Sequence, residues 1–76
     1  MNLSSIKWET AQKVMELVKA GKTVYAPMFD SNCHIRDAFI LEHSGYIRFN
    51  IYSHTVGKNT MSFLPDDTFE ICVEED

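Results

Sequence analysis

Residues 38–52, AFILEHSGYIRFNIY, decide how the rest of this chain is read. In their second half the side chains alternate strictly. Ile47, Phe49 and Ile51 fall on one side of an extended backbone, and Tyr46, Arg48, Asn50 and Tyr52 on the other, because successive strand residues point to opposite faces. His43-Ser44-Gly45 supplies the residue types of a tight hairpin turn between this strand and the apolar run before it. One side of the hairpin is core. The other presents tyrosine, arginine and asparagine outward.

Working upstream, residues 34–42 read as the partner strand. Ile35, Phe39 and Leu41 share one parity, but so does Asp37. Either the strand joins the sheet only beyond that point, or a bulge near Arg36 and Asp37 resets the register, and the bulge is the preferred reading. Residues 23–28 form an earlier strand, with Val24, Ala26 and Met28 alternating with Thr23 and Tyr25. Pro27 lacks an amide to donate and marks an edge or bend there. Asp30-Ser31-Asn32 is a turn cluster.

Further upstream, Ala11, Val14, Met15 and Val18 stand at i, i+3, i+4 and i+7, which predicts an amphipathic helix over residues 8–20. In this reading Trp8 extends the apolar stripe by a turn, Leu17 widens it, and Ser4 or Ser5 caps the start. Glu9 and Lys19 complement the helix dipole, and Glu9 pairs with Lys13 at i, i+4. Gly21 ends the helix in the left-handed conformation.

Downstream, residues 53–59 read as a polar loop and 60–64 as a short strand with Met61 and Phe63 on one face. Pro65-Asp66-Asp67 makes a turn with proline pre-set for its second position. Residues 68–73 form a last strand, Phe69, Ile71 and Val73 inward and Thr68, Glu70 and Cys72 outward. The predicted class is α+β, with an N-terminal amphipathic helix packed on a five-stranded antiparallel sheet. The alternative is that the strands curl into an SH3-like barrel with the helix across one opening.

A chain of 76 residues holds a single compact domain, residues 1–76, and a single core. At this size only about 60 to 65% of the unfolded surface is buried, which caps monomer stability near ~3 to 5 kcal/mol and makes self-association a natural remedy. The net charge of −4 argues against a general nucleic-acid binder while leaving room for a small nucleotide ligand. The acid is concentrated at the end: Asp66, Asp67, Glu70, Glu74, Glu75 and Asp76 have no Lys or Arg among them. A solvated tail accounts for this, with a docking surface for a basic partner, or partial mimicry of nucleic acid, as the sharper alternative. The first residues lack the basic start and apolar run of a signal peptide, and the apolar run 38–41 is too short to cross a membrane. The expectation is a cytoplasmic protein, without membrane contact, whose thiols are reduced.

Few residues suggest catalysis. His34, His43 and His54 lie near turns or strand ends with no nucleophile at a recognisable spacing. Cys33 and Cys72 have no metal-type spacing, and the adjacency of Cys33 and His34 is poor geometry for two ligands of one metal. A small metal-dependent enzyme using Cys33, His34 and Asp67 is the weakest reading, because Asp66 and Asp67 are better explained as turn residues. No cofactor motif is present, so the chain is read as non-catalytic. The best remaining surface is the row Tyr46, Arg48, Asn50 and Tyr52, joined by Tyr25 from the earlier strand. Tyrosine and arginine are enriched at binding hot spots, and bases stack on aromatic sheet faces. A plain solvated sheet face or a homo-oligomer contact would use the same residues.

Two stretches carry a family resemblance. Ala11 followed by Val18-Lys19-Ala20-Gly21-Lys22-Thr23-Val24 resembles a helix-to-strand pattern of small phage proteins. The closing Asp66-Asp67-Thr68-Phe69-Glu70-Ile71 is similar to the ending of the second Thoeris anti-defence family. The resemblance implies a helix followed by an antiparallel sheet, assembly as a homo-oligomer, and sequestration of a cyclic ADP-ribose-type signal. Pro27-Met28-Phe29-Asp30 stands where that family has Trp-Asn-Gly, so no binding residue is carried over. The function expected is that of a small phage or mobile-element protein in the host cytoplasm. It would inhibit a host or phage protein by binding it, or alternatively act as a sponge for a nucleotide signal.

Overall fold

The computed structural model describes residues 2–3, 5–29 and 32–75. Its elements are β1 (Asn2–Leu3), β2 (Lys7–Thr10), α1 (Ala11–Lys19), β3 (Val24–Tyr25), β4 (His34–Ile40), β5 (Ile47–Ser53), β6 (Gly57–Phe63) and β7 (Thr68–Glu75). The strands form one antiparallel sheet in the order β1-β7-β3-β4-β5-β6, with β2 also paired to β7. The α+β class stands. The sheet is larger than the five strands expected and is not a closed barrel; among the described residues, β6 and the β1/β2 segment are its two edges.

The hairpin sits where the sequence placed it. In β5, Ile47 and Phe49 are fully buried and Ile51 nearly so. In β4 the register slips between Ile35 and Asp37, so the bulge is present. Its consequence runs further than expected. A one-residue slip flips every side chain beyond it, so Ala38 rather than Phe39 turns into the core, opposite Phe49. Phe39 is thereby moved to the outer face, opposite Arg48.

The helix is shorter than its apolar stripe suggested. Thr10, not Ser5, is its N-cap: the Thr10 hydroxyl accepts the Lys13 amide at 3.2 Å. Ser4, the other expected cap, lies outside the described residues. The Ala11 and Gln12 amides donate to the carbonyls of Asp67 and Pro65 at 2.8 and 3.1 Å, so the β6–β7 turn completes the cap. Trp8 and Glu9 consequently belong to β2, opposite Glu70 and Phe69 of β7. Trp8 is 60% exposed and is not part of the core stripe, and the expected Glu9–Lys13 pair within a helix does not form. At the other end the helix stops as expected. Gly21 takes φ 87°, and the amides of Gly21 and Lys22 donate to Val18 and Leu17, the paired bonds of a Schellman motif.

Three further boundaries move. Only Val24 and Tyr25 pair as β3; Pro27 begins a turn, and Met28 is half exposed instead of continuing the strand. Of the turn cluster that follows, Asp30 and Ser31 lie outside the described residues. The polar loop contracts to the 54–56 turn, and β6 begins at Gly57. β7 extends to Glu75, so Glu74 is a strand residue and not part of a solvated tail: its amide donates to Thr23 at 2.9 Å, and Tyr25 donates its hydroxyl to its carboxylate at 3.4 Å. Cys72 keeps its outward parity opposite Tyr25 but is only 8% exposed.

The core lies on the concave face. Ala11, Val14 and Met15 of α1 join Val24, Ile35, Ala38, Ile47, Phe49 and Ile51 there. Phe69 closes it. Along the hydrogen-bonded path β7 is three strands from β5 and four from β6. Yet the Phe69 ring stands 5.7 Å from Phe49 and stacks on Phe63 at 4.7 Å. The sheet is therefore curled strongly enough to bring the first half of β7 over its own concave side.

Candidate functional site

With α1 on the concave side, the opposite face of β3–β6 is left open. The strand registers arrange that face in cross-strand rows. One row runs Tyr25, His34, Tyr52 and Lys58; the next runs Asp37, Asn50 and Thr60; the third runs Phe39, Arg48 and Ser62. Directly opposed side chains are close enough to interact, so each row is a potential contact unit. Arg48, Asn50, Tyr52 and Tyr25, picked out from the sequence, all share this face and are each half-buried. Tyr46 precedes β5 at the far end and is 39% exposed.

The first row is an aromatic ladder. Tyr25 meets His34 edge-on at 6.2 Å, His34 lies 5.7 Å from Tyr52, and Tyr52 meets His54 at 5.9 Å. Arg36, displaced from the pairing by the bulge, sets its guanidinium carbon 5.8 Å from the Tyr52 ring centre, within cation–π range. Below this row the bulge opens a groove of about 600 Å³ lined by Arg36, Asp37, Asn50, Ile51, Lys58, Asn59 and Thr60. Asp37 is already engaged, accepting the Ala38 amide at 2.8 Å. The groove thus offers two cations and several amide and hydroxyl groups to a polar guest.

The third row is different in kind. The Arg48 Nε is buried and, among the described residues, has no hydrogen-bond partner. Phe39 lies directly opposite it, and Leu41 and Tyr46 are joined at the mouth of the same hairpin, where the Leu41 amide donates to the Tyr46 carbonyl at 2.7 Å. Leu64, 44% exposed, follows β6 at that end. An arginine donor without an acceptor, set among apolar side chains, is costly to leave unmatched.

The face therefore holds residues that the alternation did not reveal. The sequence places His34 at a strand end, Arg36 at a register slip and Lys58 in a loop. Phe39 shares the parity of Ile35 and Leu41 in the sequence, and its facing depends on the bulge. The Asp37 parity violation was the available signal: carried through to the residues beyond it, it places Phe39 outside beside Arg48. The remaining chemical candidates are scattered. Cys33 is buried with the core while His34 faces out. Asp67 accepts the Leu64 amide at 2.9 Å and donates its own amide back to the Leu64 carbonyl, as a turn residue does. Among the described residues no three His, Cys, Asp or Glu side chains are grouped to hold a metal ion. Among the described residues no helix is long and apolar enough to cross a membrane. Comparison with protein-family models, curated proteins and solved structures found no match.

Proposed function

We propose that this chain is a small non-catalytic binding protein that inhibits or modulates a protein partner through the outer face of its sheet. The observation that carries this reading is Arg48: among the described residues its buried Nε has no hydrogen-bond partner, and it stands opposite Phe39 on a face that no other described element covers. Arginine and tyrosine backed by apolar side chains make the usual composition of an energetic hot spot, and a carboxylate or carbonyl from a partner would supply the missing acceptor. The resemblance at residues 18–24 and 66–71 supports placing the partner in a phage or mobile-element context, as a component of host defence. Replacing Arg48 and Tyr52 together with alanine is expected to abolish capture of the partner recovered with the wild-type protein. Undiminished capture by a double variant that remains folded would remove this face from consideration.

A second reading is a sponge for a nucleotide-type signal. What favours it is the groove beside Tyr52, where Arg36 and Lys58 can meet phosphate and Asn50, Asn59 and Thr60 can meet polar edges. Native mass spectrometry of protein from infected cells, with a thermal-shift panel of nucleotides, tests it. Absence of any bound nucleotide together with no shift rejects the sponge and leaves the protein-binding reading standing.

A further inference from the structure

The edge formed by β6 has the marks of a strand built to pair. The Leu41 amide bonds the Tyr46 carbonyl, and antiparallel hydrogen-bonded pairs alternate along a ladder. Tyr46, Arg48 and Asn50 therefore direct their backbone groups toward β4, and Ile47, Phe49 and Ile51 toward β6. Across the β5–β6 register, Phe63, Met61 and Asn59 answer them. Lys58, Thr60 and Ser62 have amides and carbonyls pointing away from the sheet, the Thr60 amide donating to the Asn59 side-chain oxygen at 2.8 Å, and all three side chains are exposed.

Natural edges are blunted by proline, bulges or several charges. β6, GKNTMSF, has no proline, one lysine, and an unbroken register from Ser53↔Gly57 to Ile47↔Phe63. The opposite edge is protected: Leu3 pairs with Glu74 and Lys7 with Ile71, a one-residue shift between β1 and β2. Pairing of β6 with itself is also selective for one register. Alignment about Thr60 sets Thr60 against Thr60 and Lys58 against Ser62, with no like charges opposed, and engages every outward backbone group in about six hydrogen bonds once the Thr60 amide exchanges its Asn59 side-chain acceptor for the second copy's carbonyl, an exchange that every register of this edge requires. Sliding the strands so that Met61 meets Met61 would call on Leu64, whose amide and carbonyl are both bonded to Asp67. Sliding the other way calls on Val56, whose amide is held by the Ser53 hydroxyl at 3.0 Å.

We infer that β6 is a homodimer interface, joining two copies by antiparallel pairing about a two-fold axis at Thr60. The pairing makes one continuous sheet, adds the second copy's backbone to the open side of the groove that Lys58 and Thr60 line, and leaves the Arg48 surface free. It stands independently of the partner proposed above.

Sedimentation of the full chain across a concentration series up to millimolar tests it, with the wild type expected at twice the 8.8 kDa monomer mass. Thr60→Pro deletes an outward amide without touching the β5 ladder and is expected to raise the dimer dissociation constant at least about tenfold. Ser62→Lys opposes Lys58 of the second copy and should weaken the dimer about two- to tenfold, whereas Ser62→Glu should tighten it by a similar factor. The two Ser62 variants decide the matter even where the proline variant fails to fold. A wild type that stays monomeric overturns the inference, as does an oligomer that responds alike to lysine and glutamate at position 62.

Discussion

Arg48 is where stability and function separate at the level of a single residue. Its Nε is removed from water without an acceptor, and an unmatched buried donor costs roughly 1 to 3 kcal/mol. Its aliphatic stem, in contrast, packs usefully beside the Phe39 ring opposite it. Arg48→Met keeps the stem and deletes the donor, so it should leave stability to urea unchanged or raise it by about 1 kcal/mol. Arg48→Ala loses the stem as well and should be the less stable of the two. A methionine variant destabilised as much as the alanine variant would mean that the guanidinium is already satisfied in the free protein, and the main support for a docking role would go with it. Phe39 shows why this position was hidden from the sequence. Its parity matched Ile35 and Leu41, and only the slipped register at Arg36 and Asp37 reveals that it faces outward.

Among the elements, those with one buried side were legible and those with two wet sides were not. β5 and β7 announce themselves because Ile47, Phe49, Ile51 and Phe69, Ile71, Val73 recur at period two against a core. β6 has Gly57, Lys58, Asn59 and Thr60 in its first half, polar on both faces, so alternation has nothing to report. β2 reads as a first helical turn in the sequence because Trp8 stands three residues before Ala11, a helical interval. The corrective signal was Thr10, a capping residue placed directly before the periodic run. That placement has measurable weight. Thr10→Ala should cost about 1 kcal/mol through loss of the bond to the Lys13 amide. Gly21→Ala should cost a similar ~1 kcal/mol for a different reason: no atom lies within 4 Å of the added Cβ, so the whole penalty is the positive φ of 87°. Urea unfolding of both variants checks the pair. A neutral Thr10→Ala would place the helix start elsewhere, and a neutral Gly21→Ala would mean that the chain leaves the helix by another turn.

For the whole molecule, the decisive feature is long-range: β7 returns over the concave face so that a sheet open at both edges still encloses a core. The sequence reading placed Phe69 inward but could not say against what, because its partners Phe49 and Phe63 belong to strands it never hydrogen-bonds. The same closure couples the two ends of the chain, since the turn that delivers Phe69 also accepts the first amides of α1 through Pro65 and Asp67. Little redundancy backs it up. A single core in a chain this short supplies no more than about 3 to 5 kcal/mol, and a buried phenylalanine replaced by alanine forfeits about 3 to 5 kcal/mol. Phe69→Ala is therefore expected to leave the isolated chain largely unfolded at 25 °C by circular dichroism. Phe69→Leu, which nearly conserves volume, should remain folded with a loss below about 1.5 kcal/mol. Phe29 supplies the internal comparison: its ring also approaches Phe69, at 6.3 Å, but it is 38% exposed, so its truncation should cost clearly less. Were Phe69→Ala as stable as Phe29→Ala, the first half of β7 could not be what seals the core.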